Sequence, residues 1–248
     1  PALEAEPWSP ADQVRPPSDA RPVVAIAGGR AFTFRYAETD ELLRAAGCDA
    51  VVFDPTSDEQ LPAGTAGLYL GGGFPEVHAA ELAANDALRS DIRAAIDAGT
   101  PTIAECAGLL YLCRSVDGLP MVGAIEAEAI MTERLTLHYQ TVIADRDQLL
   151  AKAGARLTGH EFHRTVVEPR RGAAAAWLVH GEPTGFSADP AGIGRQTLHA
   201  SYLHVHWAGY PELAQRFADA VHAYAASRPE RQSEPQNAER RSPNVPIH

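Results

Sequence analysis

Short apolar runs alternate along this chain with segments whose apolar residues recur every three or four positions. Val23–Ala27 is an unbroken run of buried-type residues and predicts a short strand. A helix is expected over residues 36–46, with Leu42, Leu43 and Ala46 on its apolar face and Gly47 stopping it. Residues 50–53 and 67–70 repeat the strand pattern. Asn85 stands where an N-cap belongs, ahead of a helix reaching about Ala98 and closed by Gly99. Residues 101–104 predict a fourth strand and residues 108–114 a helix directly after it. This β-α-β order predicts an α/β fold with a central, mostly parallel sheet and helices on both faces. From Val122 the pattern shifts to short alternating segments at 129–137, 138–143 and 162–167, the pattern of an added antiparallel portion. Residues 197–205 read as a last strand and 211–225 as a closing amphipathic helix.

The ends differ in composition. Residues 1–20 hold five prolines without apolar periodicity and read as a linker, partly disordered. Residues 228–248 hold four prolines among Arg, Glu, Gln and Ser, with no aromatic, and read as a disordered tail. The folded body is expected at 21–227, as one domain, since 45% of the 248 residues are hydrophobic. The chain opens on Pro1 with no leader pattern and reads as cut from something longer. Spanning a bilayer takes about 18 or more consecutive apolar residues, and no such run occurs. A net charge of −11 argues against nucleic acid or an anionic membrane as partner. The three cysteines, Cys48, Cys106 and Cys113, lack paired CxxC spacing and read as reduced thiols of a cytoplasmic protein.

Three segments carry candidate chemistry. In Ile103-Ala104-Glu105-Cys106-Ala107-Gly108 a strand runs into a helix, with a cysteine at the turn and a glycine two residues on. That is the pattern of a nucleophile elbow, in which the helix N-terminus favours thiolate. A cysteine after a buried strand is equally a small core residue. Gly71, Gly72 and Gly73 end a predicted strand, so the backbone amides of Gly72, Gly73 and Ala107 could form an oxyanion hole. The other reading is a tight turn; no GK[ST] follows, so a Walker-type phosphate loop is not supported. Ligands bind at strand C-termini in open α/β sheets, and both segments are expected there. The third segment holds His199, His204 and His206, any of which could serve as a general base, and spacing does not choose among them.

In order, Gly-Gly-Gly-Phe-Pro-Glu at 71–76, Glu-Cys-Ala-Gly at 105–108, Gly-His-Glu-Phe-His-Arg at 159–164 and Ser-Tyr-Leu-His at 201–204 resemble the cobyrinate and hydrogenobyrinate a,c-diamide synthases. The resemblance covers roughly 22–225 and is to the C-terminal glutamine amidotransferase domain of that family. It implies a flavodoxin-like, class I-type amidotransferase fold, with Cys106 as nucleophile and His204 as base. L-glutamine would be the donor, hydrolysed through a γ-glutamyl thioester to release ammonia. The segment 159–164 points to the corrinoid branch. It marks His160, Glu161, His163 and Arg164 as possible substrate-side residues, although a surface arginine bound only to solvent is an ordinary alternative for Arg164. Most class I-type domains place a glutamate two residues after the histidine; here that position is His206, as in the diamide synthase branch, which leaves a dyad. Family members also carry an N-terminal synthetase domain that uses ATP and Mg²⁺ and binds the corrinoid. No such domain lies in this sequence, so no cofactor is expected in this portion.

Other readings use the same residues. His160, Glu161, His163, His204 and His206 could hold zinc or iron, although their spacing is one residue short of HExxH. A non-catalytic binding domain is disfavoured because cysteine, histidine and glycine loop are all intact. A glutaminase serving another acceptor, in cobyric acid synthesis or cell-wall lipid amidation, differs only in its partner. Cys48 and Cys113 read as core thiols, and Asp40, Glu41 and Asp54 as solvated surface.

Overall fold

The computed structural model describes residues 8–228. In chain order the first half holds β1 (Val23–Ala27), α1 (Ala37–Ala45), β2 (Asp49–Phe53), β3 (Thr65–Leu70), α2 (Ala79–Ala84), α3 (Asp86–Asp97), β4 (Thr102–Glu105) and α4 (Ala107–Leu112). The second half holds β5 (Cys113–Val116), β6 (Leu119–Pro120), β7 (Ile125–Ile143), β8 (Arg156–Glu168), β9 (Trp177–Val179), β10 (Glu182–Thr184), β11 (Phe186–Ala188), β12 (Leu198–Ser201) and α5 (Pro211–Ser227). A six-stranded sheet runs β11-β12-β4-β3-β1-β2 and is parallel except at β11. A second sheet runs β10-β9-β7-β5-β6, with β8 paired antiparallel to β7.

The unbroken apolar runs are explained by burial on both sheet faces. Ala25 and Ala27 of β1 pack with Leu68, Leu70 and Ala104 on one face, over Leu88, Ile92 and Ile96 of α3. Val24 and Ile26 point the opposite way, towards Tyr69, Ile103, Leu42 and Leu43 of α1, and Leu213, Phe217 and Val221 of α5. The expected caps are in place. Asn85 accepts a hydrogen bond from the Leu88 amide at 3.3 Å, and Gly47 and Gly99 take φ of 82° and 87° at helix ends.

Several expected boundaries move, each because long-range pairing overrides local pattern. The helix after Cys106 stops at Leu112 rather than 114, and Cys113 begins β5, which pairs with β7. The segments 129–137 and 138–143 are one 19-residue strand, uninterrupted by Gly or Pro, and its partner β8 begins at Arg156. The strand expected over 197–205 ends at Ser201, because the chain leaves the sheet there to meet β8. Helix α2 was not expected. Part of the segment expected as a linker is packed: Val14 is buried, Arg15 and Gln215 exchange two hydrogen bonds, and Ser18 Oγ lies 2.9 Å from His222 Nδ1. The tail expected beyond Arg228 lies outside the described residues. Asp40, expected at the solvated surface, is buried with Arg35 Nε 3.2 Å away.

Helix α4 sits against the end of β3 because Gly108 has no side chain: a Cβ there would overlap the Leu70 carbonyl and lie 2.7 Å from Leu70 Cβ. Gly108→Ala should therefore destabilise the protein by about 1–3 kcal/mol despite the better helix propensity of alanine. Thermal unfolding should show a midpoint lower by several degrees, and an unchanged midpoint would mean that β3 and α4 separate freely.

Candidate active site

Cys106 follows β4 directly and adopts φ 50°, ψ −97°, a backbone region that costs a non-glycine residue about 1–3 kcal/mol. The surrounding strands hold it there. Its amide donates to the Ser201 carbonyl of β12 at 2.9 Å, and the Gly108 amide donates to the Gly71 carbonyl at 3.0 Å. The elbow expected from the sequence is present, with the sulfur 3.8 Å from the Phe162 carbonyl and the residue 5% exposed. Cys106 opens into a cavity of about 140 Å³ whose wall includes Gly73, Phe74, Glu76, Leu135, Phe162 and Arg164. Burial, and then the nearby Glu76, push the thiol up to about 12, with smaller contributions from Glu105 and Glu161; a hydrogen bond from the Ala107 amide pulls the other way.

Of the three amides expected in an oxyanion hole, Gly72 is engaged elsewhere. Its N–H donates to the Phe34 carbonyl at 3.0 Å, and its carbonyl accepts from the Phe34 amide at 3.1 Å. Among the described residues, the Gly73 and Ala107 amides have no backbone acceptor. Those two remain candidates to stabilise the charge on the oxygen of a carbonyl whose carbon is attacked by Cys106.

His204 follows β12, the strand beside β4, so Cys106 and His204 reach the same end of the sheet from adjacent strands. It is 4% exposed, and burial, with His160 and His163 nearby, brings its imidazole down to about 3. The other two histidines are placed differently. His199 is buried in β12, with Nδ1 2.7 Å from Gln148 Oε1, and burial lowers it to about 3; it is a core residue. His206 is exposed, 3.6 Å from Glu38 Oε2 and 4.5 Å from the Tyr36 ring. His204 and His206, two apart in sequence, do not share a strand face, since the chain has left the sheet and the two diverge.

The substrate-side segment is divided. His160 pairs with His204 through two backbone hydrogen bonds of 2.9 and 3.0 Å. Glu161 and His163 line a larger neighbouring cavity of about 380 Å³, where Glu161 Oε2 lies 3.4 Å from His163 Nε2 and 3.7 Å from His138 Nε2. His163 Nδ1 donates to the Thr165 carbonyl at 2.8 Å, and its ring stacks on Tyr202 at 3.7 Å. Arg164 lines the Cys106 cavity and donates to the Glu133 carbonyl at 2.8 Å. No group of three or more His, Cys, Asp or Glu is arranged to hold a metal among the described residues.

Glu105, quoted only as part of a motif, is buried beneath the elbow. It accepts from Tyr69 Oη at 3.0 Å, and desolvation raises it to about 8 against the hydrogen bonds it receives. Phe34 lies outside every motif of the sequence, and Tyr202 stands there only as part of the 201–204 motif. An aromatic in a polar loop and one after a strand carry no local sign of lying against histidines distant in sequence.

A cysteine held at positive φ at the C-terminal edge of a parallel sheet, beside the Gly73 and Ala107 amides, is a nucleophile elbow, and the surrounding fold is that of the glutamine amidotransferases. A solved glutamine amidotransferase shares that fold with a TM-score of 0.54 at 19% identity, covering 82% of this chain and 98% of the other. Residues 23–211 match the CobB/CobQ-like glutamine amidotransferase domain family, and the chain belongs to that family. The chain is 62% identical over 229 residues to a hydrogenobyrinate a,c-diamide synthase of Thermobifida fusca, covering 89% of this chain and 48% of the relative. It is 54% identical to the enzyme of that name from Streptomyces coelicolor, covering 82% of this chain and 41% of the relative. The chain thus spans about half the length of these curated relatives.

The thiol's position has a direct consequence. A group held at about 12 is ionised to only about one part in ten thousand at pH 8, and its thiolate fraction rises about tenfold per pH unit. Without glutamine, alkylation of Cys106 by iodoacetamide should be slow at pH 8 and climb without a plateau to pH 10, as read by peptide mapping. A plateau near pH 8 would reveal a preformed thiolate.

Proposed function

We propose that this domain hydrolyses L-glutamine, with Cys106 as nucleophile and His204 as general base. The observation that carries this reading is the strained Cys106 elbow, opening into a cavity beside the Gly73 and Ala107 amides. The sulfur attacks the side-chain amide carbon while His204 takes the thiol proton. The oxyanion forms towards the two amides. His204 then returns the proton to the leaving nitrogen, ammonia departs, and a γ-glutamyl thioester remains until water cleaves it. The cavity wall contributes one carboxylate, Glu76, and one guanidinium, Arg164, opposite charges that suit the ammonium and carboxylate of an amino acid.

The ammonia would serve amidation of the a and c side chains of a corrinoid, an assignment supported by the names of the two relatives, both enzymes of hydrogenobyrinate. Activation of those carboxylates by ATP and Mg²⁺ falls to the part of the relatives that this chain does not span. The glycine loop here does not suit a nucleotide: its neighbours are Phe34, Cys106 and Glu76, with no lysine to meet a phosphate. Three free thiols suit a reducing, cytoplasmic setting.

Labelling the intact protein with 6-diazo-5-oxo-norleucine, followed by peptide mapping, tests the reading. One adduct is expected on Cys106, none in Cys106→Ser, and labelling about a hundredfold slower in His204→Ala. Absence of an adduct on folded, intact wild-type protein would overturn the assignment.

A further inference from the structure

We propose that His160 is the positioning residue for His204, its ring face holding the imidazole as an acidic partner holds the base of a Cys-His-Glu triad. This rests on the glutaminase reading above and explains how a site without that glutamate orients its base. Two side chains that could have done so are placed otherwise. His206, in the expected position of the acid, is turned outwards towards Glu38. Glu105 Oε2 accepts from Tyr69, while its buried Oε1 has no hydrogen-bond partner among the described residues and so does not reach His204. His204 Nδ1 itself is buried and has no hydrogen-bond partner among the described residues. No side-chain acceptor therefore fixes the ring.

Packing fixes it instead. The His160 and His204 rings are stacked, with centroids 4.8 Å apart and planes 10° from parallel. Phe34 meets the His204 ring edge-on at 5.0 Å and 80°, and the His160 ring at 5.8 Å and 84°. On another side, Gly72 leaves no room for a side chain, since a Cβ there would overlap His204 Cε1. A ring held on one face, at an edge and against backbone cannot turn about its Cβ–Cγ bond without overlap.

The stack is itself set by backbone. His160 and His204 exchange both of their main-chain hydrogen bonds, which brings β8 directly against the segment after β12. That approach requires Gly159, where a Cβ would overlap the His204 carbonyl and lie 2.8 Å from Leu203 Cγ. Burial lowers His160 as well, so it presents an uncharged ring face to His204. The role needs an aromatic face and not a titrating nitrogen, which makes phenylalanine a conservative replacement.

The test is the kinetics of 6-diazo-5-oxo-norleucine labelling in the intact protein. His160→Ala should lower the maximal labelling rate about tenfold or more while leaving the half-saturating concentration within about twofold, because base geometry is lost and glutamine binding is not. His160→Phe should recover a rate within about threefold of wild type. His160→Leu, which fills the space without an aromatic face, should remain slow and guards against a cavity defect in the alanine variant. Labelling of His160→Ala at the wild-type rate would overturn the proposal, as would a His160→Phe protein as slow as the alanine variant. An unlabelled wild type would instead overturn the glutaminase reading, and this inference with it.

Discussion

The Gly108 amide meets the Gly71 carbonyl at 3.0 Å, while two residues earlier the Cys106 amide meets the Ser201 carbonyl at 2.9 Å. These two bonds tie the turn after β4 to both neighbouring strands, and the site depends on them. A cysteine at positive φ relaxes unless its surroundings over-determine it. Here β3 and β12 do so, and the turn can approach β3 closely because glycine occupies 108. The same economy of side chains extends outwards. Gly72 lies against the His204 ring, Gly73 lies against the 31–32 backbone, and Gly159 admits β8. The glycines permit the elbow, the amide-lined loop and the base to share one sheet end.

Electrostatically the empty site is quiet. Burial holds the Cys106 thiol high and the His204 imidazole low, so both are neutral near pH 7. Carboxylates at Glu76, Glu105 and Glu161 add to the resistance against a thiolate. Under the mechanism proposed above, such a pair would exchange its proton only as the substrate carbonyl arrives, with oxyanion charge developing towards the Gly73 and Ala107 amides.

The β7–β8 arm connects the antiparallel half of the chain to this chemistry. One strand supplies the Phe162 carbonyl near the sulfur, the His160 ring against His204, and Glu161 and His163 to an adjoining cavity. Glu161 borders only the adjoining cavity, whereas His163 borders that one and the Cys106 cavity, so this stretch of β8 forms the wall between the two.

Much of the parallel sheet was legible in the sequence alone. The apolar runs at 23–27, 50–53, 67–70 and 101–104 are signals within a few residues, as are the Asn85 cap and the glycine helix stops. The elbow at Cys106 was legible too, since strand, turn and small neighbours are consecutive. Tertiary structure alone decided where each of the three histidines lies, because His199, His204 and His206 differ in what they meet and not in spacing. It alone diverted Cys113 into a strand, joined 129–137 to 138–143, occupied the Gly72 amide with Phe34, and stacked His160 on His204. Each of these depends on a partner distant along the chain. Local periodicity records which face of an element is apolar, but not which distant backbone will come to lie against it.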